Sequence, residues 1–328
     1  MIQTLGVASN LGYRRGHSHR AVPALMQSKC SAALAKARIG LHWQLINTTQ
    51  KSIDAEFVEA GAVVDTLTHT GLDTGDDKPE LQLAHINRLL ADGVRRSIGR
   101  KRRFLVLGGD HSIAMGTWSG AIKACREAGT NDDKSKLKAF GLLWIDAHMD
   151  AHNYRSSPSK NIHGMPLRAL LDQRDPRLKR LCPESGRLCG KHLQLLGIRS
   201  YELPEQIFME SQQATITYMR DLPAGDCGPA LLQALGTLSR RCRMIGISID
   251  LDAIDPIGAP GVATREAGGI QLQSLCRALK RARGFDKIVG LEICEYDPAA
   301  DTRQRTSKAV LQLISAFYGE LSVPYGPA

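Results

Sequence analysis

Short apolar runs alternate with longer segments of helical periodicity, and this alternation constrains the fold more than any other feature of the chain. The runs with the length of buried strands are Ile2–Ala8, His42–Ile46, Phe104–Leu107, Phe140–Ile145, Leu193–Ile198, Met244–Ile249 and Ile288–Ile293. The helix-period segments between most of them are Glu80–Ser97, Ser112–Ala128, Gly164–Leu171, Pro229–Arg240, Leu272–Ala282 and Thr306–Tyr318. Strands separated by helices are typical of parallel βαβ units with right-handed crossovers. We therefore predict an α/β fold in which a single doubly wound parallel sheet carries helices on both faces, as three layers.

Chain length and hydrophobicity bound the class of protein. The 328 residues, 43% of them hydrophobic, can bury the core of one large domain or of two smaller ones, and we favour a single domain over residues 1–328. The apolar runs are far shorter than the roughly 18 residues that a membrane span needs. No acidic residue precedes Asp54, as in a transit peptide, but a strand-like run begins directly after Met1. We therefore take the N-terminus as part of the fold and expect no membrane contact.

The cysteines indicate the cellular compartment, and the net charge bears on possible binding partners. Eight cysteines are scattered without the spacing of a disulfide framework, which predicts reduced thiols and a cytoplasmic protein. Cys182 and Cys189 are the pair that could form a disulfide or bind metal, although metal-binding cysteines usually lie closer together. The net charge of +10 is densest at Arg95–Arg103. Since no aromatic platform accompanies this cluster, we interpret it as a solvated helix end and predict no nucleic-acid partner.

Charged residues follow three of the predicted strands, at the point where each strand ends. The motifs are GGDHS with Asp110 and His111, DAHMD with Asp146, His148 and Asp150, and DLDAIDP with Asp250, Asp252 and Asp255. In an open parallel sheet, ligands bind beyond the carboxyl ends of the strands. The three motifs therefore predict one shared site at that edge.

Each motif alone has a structural interpretation, but the set does not. Asp110 and His111 could begin a helix, and Asp255 could form a turn with the proline that follows it. A buried carboxylate is costly unless a cation or hydrogen bonds compensate it. Strand alternation is expected to point the acids and the histidine of DAHMD to one side, and likewise the first two acids of DLDAIDP. So many acids in one cavity predict bound metal.

The expected ligands favour hard or borderline ions. Carboxylates with two imidazoles and without thiolate suit Mn²⁺, with Co²⁺, Ni²⁺ or Zn²⁺ as possible substitutes. Six ligands favour two ions, which at roughly 3.5–4 Å apart share and activate a water molecule. This chemistry indicates hydrolysis rather than redox work.

These three motifs, in this order, resemble the signatures of the ureohydrolases, the arginase/agmatinase family of binuclear manganese enzymes. The resemblance runs from the first strand to near the C-terminus. Within the family, the segment SKNIHGMPL (residues 159–167) is most similar to the arginases. The resemblance implies an arginase-like three-layer fold, a small guanidino substrate, and a homo-oligomer, either a trimer or a hexamer.

The resemblance also implies roles for the metal ligands and the catalytic groups. One manganese would take His111, Asp146, Asp150 and Asp250, and the other would take Asp146, His148, Asp250 and Asp252. A hydroxide bridging the ions would attack the guanidinium carbon, and Asp150 would relay a proton to the leaving amine. His163 matches a proton-shuttling histidine, although capping the helix near Gly164 is an alternative. Glu295 matches the glutamate that holds the guanidinium group, whereas Glu292 is expected to face the other side of its strand.

Specificity would depend on the residues that meet the other end of the substrate. Ser159 and Asn161 match groups that bind the α-carboxylate, Glu202 matches an aspartate near the α-amino group, and Thr264 matches a frequent loop threonine. His152 replaces an asparagine that also contacts the carboxylate. The remaining departures from the arginase pattern are Ala263, Arg265 and Gln271, together with Ala21 and Val22 near the N-terminus.

Three hypotheses follow for function. The first is hydrolysis of L-arginine to L-ornithine and urea. The second is a sister ureohydrolase acting on agmatine, guanidinobutyrate or formimidoylglutamate. The third is a non-catalytic basic interaction protein, which would have little reason to keep six metal ligands.

Overall fold

The computed structural model describes residues 2–27, 39–47, 64–66, 78–130, 139–183 and 187–319. The strands are β1 (Ile2–Ala8), β2 (Leu41–Asn47), β3 (Val64–Thr66), β4 (Phe104–Leu107), β5 (Phe140–Ile145), β6 (Leu193–Ile198), β7 (Thr215–Tyr218), β8 (Met244–Asp250) and β9 (Ile288–Cys294). Within these described ranges they form one nine-stranded sheet in the order β3-β2-β1-β4-β9-β8-β5-β6-β7. Every pairing between these strands is parallel.

The helices lie on both faces of this sheet. Those in the described part of the chain are α1 (Ala21–Gln27), α2 (Pro79–Gly99), α3 (Ala114–Thr130), α4 (Pro166–Leu171), α5 (Pro176–Leu181), α6 (Leu203–Ser211), α7 (Gly228–Arg241), α8 (Leu272–Ala282) and α9 (Arg305–Tyr318). Helices α1, α7, α8 and α9 pack on one face. Helices α2 to α6 pack on the other. The predicted three-layer α/β fold is confirmed.

Successive side chains of the strands belong alternately to two apolar cores, one on each face of the sheet. In β4, Leu105 and Leu107 belong to the core under α7 to α9, whereas Phe104 and Val106 belong to the core under α2 and α3. Because successive strand residues point to opposite faces, a fully apolar strand can serve both layers. Continuous apolar runs were therefore the right signal for central strands.

Close packing of α3 on the sheet depends on a glycine in β8. The indole of the fully buried Trp118 lies so close to Gly246 that a Cβ atom there would overlap it. Glu292 accepts a hydrogen bond from Trp118 Nε1 at 3.0 Å. Helix α3 thus packs flat against the strands that end at the site.

The predicted elements match the observed ones closely, and the misses are short. Strands β3 and β7 and helices α1, α5 and α6 were not predicted. Strand β7 lies at the sheet edge and is only partly buried, so its residues carry no clear apolar period. The basic cluster falls at the C-terminal end of α2 and in the turn that follows.

Other expectations can be placed in the structure as well. In the described ranges, no helix combines the length and the apolar character needed to cross a bilayer. Cys182 is buried and Cys189 exposed, and both are free thiols. Cys30 and Asp54 lie outside the described residues.

Candidate active site

Four neighbouring strands deliver the charged groups to one point. In the sheet, β4, β9, β8 and β5 are consecutive. His111 begins a short 3-10 helix after β4, Asp146 follows β5, Asp250 ends β8, and Glu295 follows β9. Between these strands the chain connections change direction, and in parallel sheets ligands bind in the crevice that forms at such a point.

His111 is the centre of a buried cluster of carboxylates. Its Nδ1 atom lies 3.1 Å from Asp146 Oδ2, 3.0 Å from Asp150 Oδ2 and 3.0 Å from Asp250 Oδ2. All four side chains are at least nine-tenths buried. Yet among the described residues this nitrogen has no hydrogen-bond partner. Three carboxylate oxygens and one nitrogen thus converge without satisfying one another.

The far side of the His111 ring is held firmly. Its Nε2 atom lies 3.1 Å from Ser248 Oγ, and that hydroxyl donates to Glu292 Oε1 at 2.7 Å. The imidazole also stacks on Trp144, with ring centroids 4.0 Å apart and planes at 9°. Because Nε2 faces a hydroxyl whose own proton goes to Glu292, Nε2 would be the protonated nitrogen of the neutral ring, and Nδ1 would then present its lone pair to a metal ion.

Asp146 connects His111 to a second group of ligands. While its Oδ2 faces His111, its Oδ1 lies 3.6 Å from His148 Nδ1. The same His148 nitrogen is 3.1 Å from Asp252 Oδ2. Asp146 also accepts hydrogen bonds from Trp144 Nε1 at 2.9 Å and from the His148 amide at 2.7 Å. One carboxylate therefore faces both imidazoles, as a group shared by two cations would.

The reason for the convergence differs from the one predicted. Strand β5 ends at Ile145, so Asp146, His148 and Asp150 lie on a loop and not on alternate positions of a strand. Asp150 turns towards His111 through a left-handed backbone conformation with φ of 48°. The alternation argument was wrong for this segment, and the loop geometry brings the side chains together instead.

The protonation of the cluster shows how the acids affect one another. Burial raises the pKa of Asp150 to about 6, and the charge of Asp146 adds to this effect. Burial also raises the pKa of Asp250 well above its usual range. Burial alone would lower the pKa of His111, but the surrounding carboxylates outweigh it and hold that pKa high. Without a cation, the cluster retains protons that a metal would displace.

The donor atoms fit divalent metal ions. The convergent sets are His111 with Asp146, Asp150 and Asp250, and Asp146 with His148 and Asp252. Carboxylate oxygen and imidazole nitrogen are the donors that manganese and related divalent ions accept. The unpartnered Nδ1 of His111, amid three carboxylates, is the observation that calls for a cation.

A thiol also lies near this cluster, which the sequence analysis did not foresee. Cys294 Sγ is within 4.8 Å of donor atoms of His111 and Asp250, and it lies 3.6 Å from the Ile249 carbonyl oxygen. Burial raises the pKa of this thiol well above its usual range. Cys294 therefore remains a neutral neighbour, since a thiol binds metal only as the thiolate.

Glu295 and His163 form a pair beside the metal-ligand cluster, which consists of His111, Asp146, His148, Asp150, Asp250 and Asp252. Glu295 Oε1 accepts the His111 amide hydrogen at 2.7 Å and lies 3.0 Å from His163 Nδ1. Burial would lower the pKa of His163, but the bond to Glu295 and nearby acids raise it to about 9. The His163 ring stacks on Tyr13 with centroids 4.6 Å apart. The ring makes no side-chain cap for the following helix.

The N-terminal loop packs against this pair through Gly12. Its amide donates to Asp110 Oδ2 at 2.9 Å, and its carbonyl accepts from the amides of Ile162 and His163. A Cβ at Gly12 would overlap the Asp110 carboxylate. A glycine is therefore needed where the N-terminal loop, the β4 turn and the His163 loop meet.

A second cluster, which we term the rim cluster, consists of His152, Glu202 and Glu205. His152 Nε2 lies 2.7 Å from Glu202 Oε2 and 3.3 Å from Glu205 Oε2, while its Nδ1 lies 3.1 Å from Ser156 Oγ. The two glutamates form the capping box of α6. Glu205 also accepts the Ala151 amide at 2.9 Å. The rim cluster ties α6 to the loop that carries Asp150.

The other residues expected to bind substrate occupy different environments. Ser159 is exposed and Asn161 is half-buried, and the backbone N–H of Asn161 donates to Ser159 Oγ at 3.3 Å. Thr264 donates to Asp252 Oδ2 at 2.9 Å and so supports a metal-ligand candidate. Arg265 and Gln271 donate to backbone carbonyls of Pro260 and Ala224.

Sequence reasoning missed several residues that complete the site. Tyr13, Ser248, Glu205 and Glu266 each contact one of the side chains above. Ser248 precedes the third motif by two positions and Glu205 follows Glu202 by three, so spacing could have suggested both. Nothing in the local sequence marks Glu266 as a neighbour of His148.

The fold and this site together define a metal-dependent hydrolase. An arginase family model matches residues 31–319. Arginase from Bacillus caldovelox is 32% identical over 238 residues, which are 73% of this chain and 76% of that protein. The chain belongs to the arginase family, and it is a hydrolase that acts on a guanidino C–N bond.

Solved structures agree with this family assignment. A structure of the Bacillus caldovelox arginase has a TM-score of 0.79 at 27% identity, covering 98% of this chain and 99% of that one. Formimidoylglutamase from Bacillus subtilis has a TM-score of 0.66 at 22% identity, covering 99% and 89%. The second likeness shows the shared fold alone.

Proposed function

We propose that this enzyme hydrolyses L-arginine to L-ornithine and urea with two Mn²⁺ ions. The observation that carries the proposal is the unpartnered His111 Nδ1 amid three carboxylates. Bacterial arginases at 29–32% identity are among the relatives of this chain and support the arginase assignment.

The chain's own residues would hold the ions in two overlapping sets. His111 and Asp150 would bind one ion, His148 and Asp252 the other, and Asp146 would bind both. By family resemblance, Asp250 would be the second ligand shared by both ions. Two ions, when bound, would supply a water molecule of lowered pKa for attack on the guanidinium carbon.

Glu295 would hold the guanidinium group next to this water. A planar cation with forked donors is well matched by a carboxylate. The Glu295 side chain is 2% exposed and is fixed by the His111 amide and by His163. Buried and fixed in this way, Glu295 would orient the substrate without a large reorganisation.

Two residues are placed for proton movement. Asp150 is a candidate ligand whose side chain is 10% exposed, against 0% for Asp146 and 4% for Asp250, and we assign it the transfer of a proton to the leaving amine. His163 is half-buried against Tyr13 and would exchange protons with solvent. In the balanced reaction, water supplies the oxygen of urea, and the amine leaves as ornithine.

The far end of the substrate would meet the rim. Ser159 and Asn161 would bind the α-carboxylate, while Glu202 would bind the α-amino group. The side chain of His152 is engaged on both ring nitrogens by Ser156 and the glutamates. We therefore assign His152 to fixing Glu202 more than to meeting the carboxylate itself.

The test is a substrate panel assayed after chelation and after addition of Mn²⁺. Chelated protein should release no urea, and Mn²⁺ should restore release from L-arginine. The value of kcat/KM for L-arginine should exceed that for agmatine and guanidinobutyrate, with formimidoylglutamate measured by formamide release. Better turnover of any of these three would assign the sister activity, and full activity without metal would overturn the two-ion mechanism.

Three further features belong to the same proposal, and only the assembly rests on family resemblance. We propose a homo-oligomer, a trimer or a hexamer, located in the cytoplasm. That residues 1–328 form a single domain also stays a prediction. Sedimentation of the purified chain would measure the assembly.

A further inference from the structure

The two metal-binding histidines are supported in different ways. A histidine that binds metal through one ring nitrogen usually donates its other N–H to an oxygen, which fixes the ring and strengthens the metal bond. For His111 that oxygen is Ser248 Oγ. For His148 the Nδ1 atom faces Asp252 and Asp146, so Nε2 is the outer nitrogen. The oxygen opposite it is Glu266 Oε1, at 3.5 Å.

The backbone around Glu266 is fixed on both sides. Before it, Thr264 donates to Asp252 Oδ2 at 2.9 Å. After it, the amides of Gly268 and Gly269 donate to Asp255 Oδ2 at 3.0 and 3.1 Å. The loop is thus attached at two points to the segment that carries the metal ligand Asp252.

Arg199 adds a third attachment at Glu266 itself. Its Nη2 atom donates to the Asp252 carbonyl at 2.6 Å and to the Glu266 carbonyl at 2.8 Å. Its other nitrogens donate to the Ala253 and Ala267 carbonyls at 3.2 Å each. One guanidinium therefore holds the two segments together, and a rigid backbone of this kind places a side chain reproducibly.

We propose that Glu266 is a positioning residue that accepts the Nε2–H of His148 and thereby strengthens this histidine as a metal ligand. The inference rests on the two-ion site of the proposed function but not on the identity of the substrate. A carboxylate opposite the outer N–H makes the imidazole a better electron donor and selects the tautomer with a free Nδ1 lone pair. A bound cation polarises the ring, so the 3.5 Å separation should shorten in the loaded enzyme.

The physical consequence is confined to one of the two ions. Glu266 lies next to His148, which would bind the same ion as Asp252. His111, which would bind the other ion, is held instead by Ser248 and, through it, by Glu292. Partners of this kind typically contribute 10–100-fold to metal affinity. Removing the carboxylate should therefore weaken one ion by about that factor and leave the other near its original affinity.

The experiment is a Mn²⁺ titration of Glu266→Ala and Glu266→Gln, followed by equilibrium dialysis and electron paramagnetic resonance. In Glu266→Ala the first ion should bind as in the unchanged chain, and the second should bind about 10–100-fold more weakly. At Mn²⁺ concentrations between the two dissociation constants, the spectrum of Glu266→Ala should show isolated Mn²⁺, whereas the unchanged chain should show a coupled pair. Glu266→Gln keeps a neutral acceptor and should lose less affinity.

Glu210→Ala is the matched control, because it removes one negative charge from the exposed end of α6. It should leave both affinities unchanged, and circular dichroism of the metal-free variants should match the unchanged chain. Equal affinities for both ions in Glu266→Ala and in the unchanged chain would overturn the proposal. If the unchanged chain binds two ions but prefers another guanidino substrate, the assigned substrate fails and the role of Glu266 stands.

Discussion

The metal-ligand cluster and the rim cluster contain the same types of residue, but they differ in whether hydrogen bonds within the protein satisfy their polar atoms. Each places one imidazole about 3 Å from carboxylate oxygens, with His111 at the centre of the first and His152 at the centre of the second. In the metal-ligand cluster, the inward nitrogen of His111 lacks a hydrogen-bond partner among the described residues. In the rim cluster, His152, Glu202 and Glu205 bond to each other and to backbone amides.

The difference teaches how to separate a metal site from a similar group of residues. Residue types and distances would nominate both clusters as cation sites. Satisfaction of hydrogen bonds distinguishes them, because a buried polar atom without a partner is costly unless something else binds it. The rim cluster is complete within the protein, whereas the metal-ligand cluster is complete only with ions.

The largest expected effect comes from Asp250→Ala. The loss of a shared carboxylate should weaken both ions and lower kcat on the order of 10³-fold or more. His163→Ala should cost much less, because His163 touches Glu295 and Tyr13 but none of the metal-ligand atoms. Steady-state kinetics and metal analysis of the two variants make the comparison.

Metal analysis of the unchanged chain sharpens the same contrast. Two ions per chain should remain after dialysis against micromolar Mn²⁺. A third ion, lost in His152→Asn, would show that the rim cluster is a metal site and would break the distinction drawn here. If His163→Ala proved as damaging as Asp250→Ala while binding two ions, the division of roles would be wrong.

The next effect concerns specificity at the rim. L-Arginine differs from agmatine by its α-carboxylate, and polar groups placed for a carboxylate are left unpaired by an analogue that lacks it. Sites of this kind can discriminate on the order of 10⁴-fold. Asn161→Ala should therefore reduce the difference in kcat/KM between L-arginine and agmatine, chiefly by lowering kcat/KM for L-arginine.

Ala263→Gly is the matched change for Asn161→Ala, because it alters a loop residue without removing a polar group. It should leave the ratio of the two kcat/KM values almost unchanged. An equal ratio in the unchanged chain and in Asn161→Ala would remove Asn161 from the carboxylate site.

The smallest effect is a pH dependence of stability from Glu205. Burial, helped by a side-chain hydrogen bond with Glu202 and by the charge of Asp150, raises the pKa of Glu205 from 4.5 to about 8. Between these values the folded chain keeps a proton that the unfolded chain has lost, so stability falls as pH rises from 4.5 to 8. One group contributes at most about 1.4 kcal/mol per pH unit.

Urea unfolding of the chelated protein between pH 5 and pH 8 measures this slope. Glu205→Gln should be less sensitive to pH across that interval, although it also loses one hydrogen-bond acceptor at every pH. The same slope in both proteins would show that Glu205 is ionised in the folded chain and that its pKa is not raised.

Local patterns predicted most of the sheet, because its central strands are apolar on both faces. The bounds of β1, β4, β5 and β6 were as expected, and β8 and β9 extend one residue further. Amphipathic segments such as α8 were equally clear. Edge strand β7 was missed because it is only partly buried, and helices α1, α5 and α6 were missed because at most nine residues show little helical period.

The sequence nominated the residues of the candidate site, but it did not indicate the geometry between the loops. The six metal-ligand candidates lie in short motifs directly after strands, so sequence and topology sufficed to nominate them. The left-handed turn at Asp150, the bond from Thr264 to Asp252 and the contact of Glu266 with His148 depend on how separate loops pack. Such contacts leave no periodic signal.

The sequence by itself therefore determined the strand and helix alternation, the parallel sheet and the residues at its carboxyl edge. Each of these follows from local hydrophobic period or from motif spacing. The tertiary structure alone decided which cluster lacks hydrogen-bond partners and which is complete. Glu205 bonds to Ala151 across 54 positions, and Arg199 holds a loop 67 positions away. Whether a buried polar atom is satisfied depends on atoms brought together from distant parts of the chain, and only packing fixes their positions.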